Sequence, residues 1–209
     1  MSGRLPGLRR RSRRARIGRA ARLTSRPSLN MGASLRWNAP VPLRTGTPAD
    51  APALAAVQVA SWKVAYRGIL SDDFLDALAP EGRQPRWEAR LSEPGVDVLV
   101  WEEDGRILGY VVAGVSRDAD ADPGRCGEVH ALYLLPEAWG KGGGARLCRA
   151  ALERSRQRGL AEVTLWVLRR NGRARAFYER MGFAADGGAQ RRTGQSGADL
   201  DEVRYRRGV

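Results

Sequence analysis

The segment Leu134-Leu135-Pro136-Glu137-Ala138-Trp139-Gly140-Lys141-Gly142-Gly143-Gly144-Ala145 has the composition of an anion cradle. Its glycines let backbone N–H groups approach a ligand closely. A strand pattern precedes it and a helix pattern follows, so the helix dipole adds attraction for negative charge. A phosphate-bearing ligand is the expected guest. A Walker A loop requires Ser or Thr after Gly-Lys, and Gly142 stands there instead. A dinucleotide fingerprint is formally matched by Gly140, Gly142 and Ala145, with Arg169 and Arg170 placed for a 2′-phosphate. However, Pro136–Trp139 separate those glycines from the strand they should follow directly. Residues 146–209 are also too few to complete a doubly wound sheet.

A second candidate group lies just upstream. Glu128 and His130 are two apart on one expected strand, so they share a face. His130 is the only histidine, and a histidine-dependent nucleophile would have to use it. Cys126 and Cys148 are the only cysteines, which excludes a disulfide scaffold and argues against a zinc site.

These residues must be positioned by regular elements. Val41–Arg44 reads as a short edge strand. Thr47-Pro48-Ala49-Asp50 opens a helix with a cap, a first-position proline and an acid in the first turn. Leu54, Val57, Ser61, Val64 and Ala65 give that helix an inward stripe. Short helices follow after Ser71 and over Arg83–Leu91. Val96–Glu103 and Arg106–Val115 flank Asp104-Gly105, a strong hairpin signal. Glu128–Leu135 is a strand, Gly143–Gly159 a helix and Val163–Leu168 a buried strand. Asn171 caps a helix whose inward face is Ala174, Phe177, Tyr178 and Met181. Gly187–Ala198 reads as a Gly-rich loop and Leu200–Arg206 as the last strand. The order predicts a mixed α/β domain, antiparallel first and with a parallel crossover later.

The net charge of +13 is unevenly placed. Residues 1–30 hold ten arginines and no acid, and the remainder carries only +3. The composition predicts a disordered Arg-rich extension over 1–40 and a folded domain over 41–207. The extension can be read as a nucleic-acid contact, as a presequence, or as translated sequence upstream of a start at Met31. A twin-Arg export signal would need an apolar core that is missing. No apolar run reaches the length of a membrane span, and a cytoplasmic protein is expected.

The motifs resemble those of the GCN5-related N-acetyltransferase (GNAT) family. The family's Gln/Arg-x-x-Gly-x-Gly/Ala motif is met by Trp139-Gly140-Lys141-Gly142-Gly143-Gly144, with the glycines at Gly142 and Gly144 and a departure at Trp139. Asn171-x-x-Ala174-x-x-Phe177-Tyr178-x-x-x-Gly182-Phe183 is similar to the family's second coenzyme-side segment. Ser61-Trp62-x-x-x-Tyr66-Arg67-Gly68-Ile69 resembles its first-helix segment. The resemblance implies a mixed central sheet with a splayed strand pair flanked by helices. It implies acetyl-CoA as acyl donor, no metal, and direct attack by an amine of a small molecule or peptide. Backbone from Gly140 through Lys141, Gly142, Gly143 and Gly144 to Ala145 would take the pyrophosphate. Leu132–Leu134 would pair with the pantetheine arm, and Asn171 and Ala174 would complete the coenzyme site. Lys141, Arg146, Arg169, Arg170 and Arg173 would add charge near the nucleotide phosphates. The Leu134 N–H would serve as oxyanion donor, Tyr178 would return a proton to the thiolate, and Glu128 or His130 would serve as base. Trp62 and Tyr66 would wall the acceptor pocket. Homodimers are common among relatives. The competing reading is a non-catalytic acyl-CoA sensor, or a nucleic-acid-contacting protein acting through the Arg-rich extension.

Overall fold

The structure, a computed structural model, describes residues 42–193 and 199–209. The expected Arg-rich extension over 1–40 lies outside the described residues. The elements run β1 (Leu43–Thr45), α1 (Ala51–Ala65), α2 (Asp72–Asp76), α3 (Gln84–Leu91), β2 (Asp97–Glu103), β3 (Arg106–Val115), β4 (Cys126–Leu134), α4 (Gly143–Gln157), β5 (Glu162–Leu168), α5 (Gly172–Arg180), β6 (Ala184–Thr193) and β7 (Asp199–Gly208). The strands form one sheet in the order β1-β2-β3-β4-β5-β7-β6. Every neighbouring pair is antiparallel except β4 and β5. This is the mixed α/β architecture that the element order predicted.

The hairpin forms where expected. Asp104 and Gly105 both take positive φ, 49° and 74°, as a two-residue turn matched to strand twist requires. Ahead of α1, the Asp50 carboxylate accepts the Thr47 backbone N–H at 2.7 Å, and a single 3-10 turn leads into the helix. Leu54, Val57 and Ser61 are buried as the stripe predicted, but Val64 is 52% exposed. The buried face turns instead through Ala55 and Val59.

The core has two faces. Tyr110 on β3 meets Trp87 of α3 edge-on at 4.7 Å. Gly109, its neighbour, lies opposite Trp101 of β2 and so belongs to the other face. Trp101 packs there against the first residue of α4, Gly143. Helices thus cover both faces of the central strands.

One expected loop is corrected. Over Gly187–Ala198, residues 187–193 belong to strand β6, and 194–198 lie outside the described residues. The glycine pair does not end the strand. It is absorbed in a register break between Ala185 and Ala189, a bulge of the kind glycine favours. Beyond the bulge, Arg192 pairs with Glu202 of β7 at 2.8 Å. Among the described residues, no helix is long and apolar enough to cross a membrane.

Candidate active site

The parallel pair β4 and β5 is joined only from Cys126↔Glu162 to Val129↔Leu165. Both strands continue, β4 to Leu134 and β5 to Leu168, but no longer paired to each other. The cause lies in the next residue. Val112 and Ala113 of β3 face Ala131 and Val129, so His130 is an extra residue in β4. Such a bulge bends the strand and increases its twist, here directing it away from β5. Leu135 N–H donates to Leu108 of β3 at 2.8 Å. The N–H of Leu134, one residue back, therefore points the opposite way, into the splay.

The splay opens on a cleft of about 1240 Å³. Glu128, His130, Leu132, Leu134, Gly140, Gly142, Gly144, Ala145, Asn171, Ala174 and Tyr178 all line it. Two residues of the glycine segment do not. Lys141 is exposed outside the cleft, and Gly143 is buried against Trp101. Gly140 and Gly142 take φ of 77° and 84°, which frees the chain to turn sharply into α4. The N–H groups of the first turn of α4 have no partner within the helix. Asn171 caps α5, its side-chain oxygen accepting the Ala174 N–H at 3.1 Å. Of the cations expected near the nucleotide, Arg173 lines the cleft, and Arg169 is paired with Asp201 at 3.1 Å. Lys141, Arg146 and Arg170 do not line the cleft.

Trp139 acquires a role that its departure from the motif concealed. Its indole N–H donates to the Leu134 carbonyl at 3.0 Å, and Arg173 stacks on its ring at 3.8 Å. Trp139 thus ties the end of β4 to the glycine segment.

Glu128 and His130 do share a face, with Nε2 of one 3.7 Å from Oε2 of the other. Both are already engaged. Glu128 Oε2 accepts the Arg117 backbone N–H at 3.0 Å and its Nε–H at 3.1 Å, while Oε1 accepts a second guanidinium nitrogen. Burial would raise this carboxyl, but Arg117 outweighs burial and holds it below its ordinary value. His130 Nδ1 accepts from the Arg90 guanidinium, and Nε2–H donates to the Val115 carbonyl at 3.3 Å. Those partners assign the neutral tautomer. Burial, reinforced by Arg117 and Arg90, pushes the imidazole down to about 4.

The stability consequence is definite in sign. An unfolded histidine titrates near 6.5, and folded His130 refuses the proton down to about 4. Its contribution is complete above pH 6.5 and is lost as pH falls toward 4, with a slope of at most about 1.4 kcal/mol per pH unit. Because the chain has one histidine, the difference between wild type and His130→Asn in denaturant melts at about pH 7, 6 and 5 isolates this group. Wild type loses more stability across that window than His130→Asn, whose remaining slope comes from the lowered carboxyls. Equal slopes would mean the imidazole titrates ordinarily.

Tyr178 is buried in the cleft wall between Phe177 and Phe183, with ring centroids 5.1 and 5.9 Å away. Among the described residues, its hydroxyl makes no hydrogen bond. Burial, with Cys148 and Tyr133 nearby, raises its pKa far above the ordinary phenol. Burial also pushes the Cys148 thiol up to about 12, which leaves it unsuited as a nucleophile. Tyr66 and Tyr133 share a hydrogen bond at 2.9 Å, and Trp62 lies beside both at the cleft's other end. Among the described residues, no cluster of His, Cys, Asp and Glu could hold a metal ion.

The acetyltransferase (GNAT) family model matches residues 63–183, which span the bulge, the glycine segment and the Tyr178 helix. The chain belongs to the GNAT family. Among relatives of this GNAT protein, it is 40% identical over 88 residues to an uncharacterized N-acetyltransferase of Archaeoglobus fulgidus, covering 42% of this chain and 60% of that one. It is 31% identical over 131 residues to the uncharacterized N-acetyltransferase YuaI of Bacillus subtilis, covering 63% and 73%. The fold is shared with the PaiA N-acetyltransferase of Thermoplasma acidophilum, crystallised with coenzyme A. There the TM-score is 0.63 at 21% identity, over 80% of this chain and 98% of that one.

Proposed function

We propose that this GNAT protein transfers the acetyl group of acetyl-CoA directly to an amine of a small molecule or peptide in the cytoplasm. The observation that carries the proposal is the end of β4–β5 pairing at Val129↔Leu165, with both strands running on past it. An unpaired strand edge offers N–H and C=O groups to the amides of a pantetheine arm. Beside it lie left-handed Gly140 and Gly142 and the first turn of α4, suited to a pyrophosphate. Arg173 suits the nucleotide phosphates. These residues fit the coenzyme.

When bound, acetyl-CoA supplies a thioester carbonyl that an uncharged amine can attack. The Leu134 N–H, aimed into the splay, is the donor for that carbonyl oxygen. Tyr178 holds its proton at all working pH and delivers it to the departing sulfur. Glu128 is ionised before attack, accepts a hydrogen bond from the acceptor nitrogen, directly or through one water, and takes the proton that nitrogen sheds as the C–N bond forms, passing it on to solvent. Three N–H groups already use three of its four lone-pair positions. His130, neutral and held by Arg90, keeps Glu128 company as a positioning residue.

This assignment fixes the pH profile. An alkylamine has pKa near 10, and neither Glu128 nor His130 titrates between pH 6 and 9 under this reading. The rise of kcat/KM with pH therefore follows the acceptor's own ionisation, as one ascending limb that shifts when an acceptor of lower pKa is used. An inflection near 6.5 that ignores the acceptor would return the base role to a normally titrating His130.

The test of the whole reading is calorimetric titration with acetyl-CoA, with NADPH in parallel, followed by thiol release against a panel of amines. Micromolar acetyl-CoA binding with amine-dependent thiol release is expected. Binding without release for any amine would favour the acyl-CoA sensor. NADPH binding alone would overturn the donor.

A further inference from the structure

The acceptor half of the cleft carries more positive charge than its carboxylates can neutralise. Among the described residues, four acids line the cleft, Glu93, Asp118, Glu128 and Glu202. Each is already paired, with Arg90 at 2.6 Å, Arg204 at 3.2 Å, Arg117, and Arg192 at 2.8 Å respectively. Arg83 and Arg86 also line it, three residues apart where the chain enters α3. Among the described residues, neither has a carboxylate within ion-pair distance. Arg83 lies over the Trp62 ring at 4.9 Å. The Trp62 indole N–H is itself buried near the Tyr133 hydroxyl, but without an acceptor at hydrogen-bond geometry among the described residues. Burial lowers the pKa of both arginines, and the Arg83, Arg90, Arg117 and Arg192 charges lower Arg86 further. No acid offsets either.

An arginine pair of this kind repels a plain alkylammonium and has unspent, forked donors. We infer that the acceptor carries an anionic group, a carboxylate or a phosphoryl oxyanion, which Arg83 and Arg86 bind with the Trp62 N–H while its amine reaches the splay. The inference rests on the reading of the cleft as an amine-acceptor site. It narrows the acceptor to amino acids and amino phosphonates or their like, and it makes Arg83 and Arg86 specificity determinants.

The experiment compares matched acceptors on the full chain with coenzyme A present. The probes are the common α-amino acids, their carboxamides, and aminoalkylphosphonates with the parent alkylamines, read by calorimetry and by thiol release. The best acid should exceed its own amide by tenfold or more in affinity and in kcat/KM. Arg83→Gln with Arg86→Gln should erase that ratio by raising KM, with acetyl-CoA affinity unchanged. Arg83→Lys with Arg86→Lys should keep part of it, clearly more than the glutamine pair, which separates the retained charge from the lost fork and packing on Trp62. Relative strength of carboxylates and phosphonates identifies the anion. An amide that matches its acid, no anionic amine bound at all, or a ratio that survives the glutamine pair would each overturn the inference. Acetyl-CoA binding is measured separately. Its failure overturns the donor reading, and the acid-against-amide comparison on the free protein still decides the Arg83–Arg86 site.

Discussion

Tyr178→Phe lowers kcat by about 10²–10³-fold and leaves acetyl-CoA affinity within about threefold. The expected loss is large because, among the carboxyl, imidazole and phenol groups of the described residues that line the cleft, the Tyr178 hydroxyl alone has no hydrogen-bond partner. Arg117 occupies Glu128, and Arg90 and Val115 occupy His130. Tyr66 and Tyr133 are bonded to each other. The substitution removes one oxygen and keeps the ring, so its contacts with Phe177 and Phe183 persist. No internal partner among the described residues loses a hydrogen bond, and stability should change by less than about 0.5 kcal/mol. Kinetics and stability are thus expected to separate cleanly. The raised pKa adds a second signature, because the wild-type enzyme should show no alkaline decline in kcat below about pH 10. A variant with full kcat would reduce Tyr178 to the packing position that its helix stripe also explains.

That ambiguity shows which features of the site were legible in the sequence. Periodicity placed Tyr178 on an inward face, and the same pattern serves a core residue and a catalytic one. The strands on either side of the splay were legible, since Glu128–Leu135 and Val163–Leu168 are β-rich runs bounded by turns. Their separation was not, because it depends on one extra residue in β4 relative to its partner β3. A register cannot be counted along a single strand. Glu128 and His130 were found because two residues apart means one face. The arginines that occupy them come from a loop 11 positions away and a helix 40 positions away. Among so many arginines, no spacing distinguishes these two. Val64 failed because a helix pattern cannot tell which edge of a wide stripe meets solvent. Gly187-Gly188 failed because glycine marks bulges as well as loops.

The glycine segment carries the second large effect, at a position the family motif does not mark. The motif glycines are Gly142 and Gly144, and Gly143 stands between them. A Cβ on Gly143 would lie 2.0 and 2.1 Å from two ring carbons of Trp101, far inside any possible contact. Trp101 cannot withdraw. It is 1% exposed, and its indole N–H donates to Glu103 at 3.2 Å. The start of α4 must therefore lift from β2, carrying residues 140–145 with it. Gly143→Ala should cost about 3 kcal/mol or more, at or beyond the usual range for overpacking. In whatever fraction folds, acetyl-CoA affinity should fall at least tenfold, because the first-turn N–H groups move with the helix. Gly144→Ala is the control on the same helix. Its Cβ would lie 3.5 Å from Leu134 and 3.6 Å from Phe177, ordinary contacts. It also gains helix propensity of about 0.5–1 kcal/mol. Denaturant melts should show the adjacent substitutions differing by several kcal/mol, with only Gly143→Ala destabilised. Equal stability for the two would mean α4 seats on β2 more loosely than this packing requires. The coenzyme site would then be held by the loop itself rather than by the tryptophan beneath it.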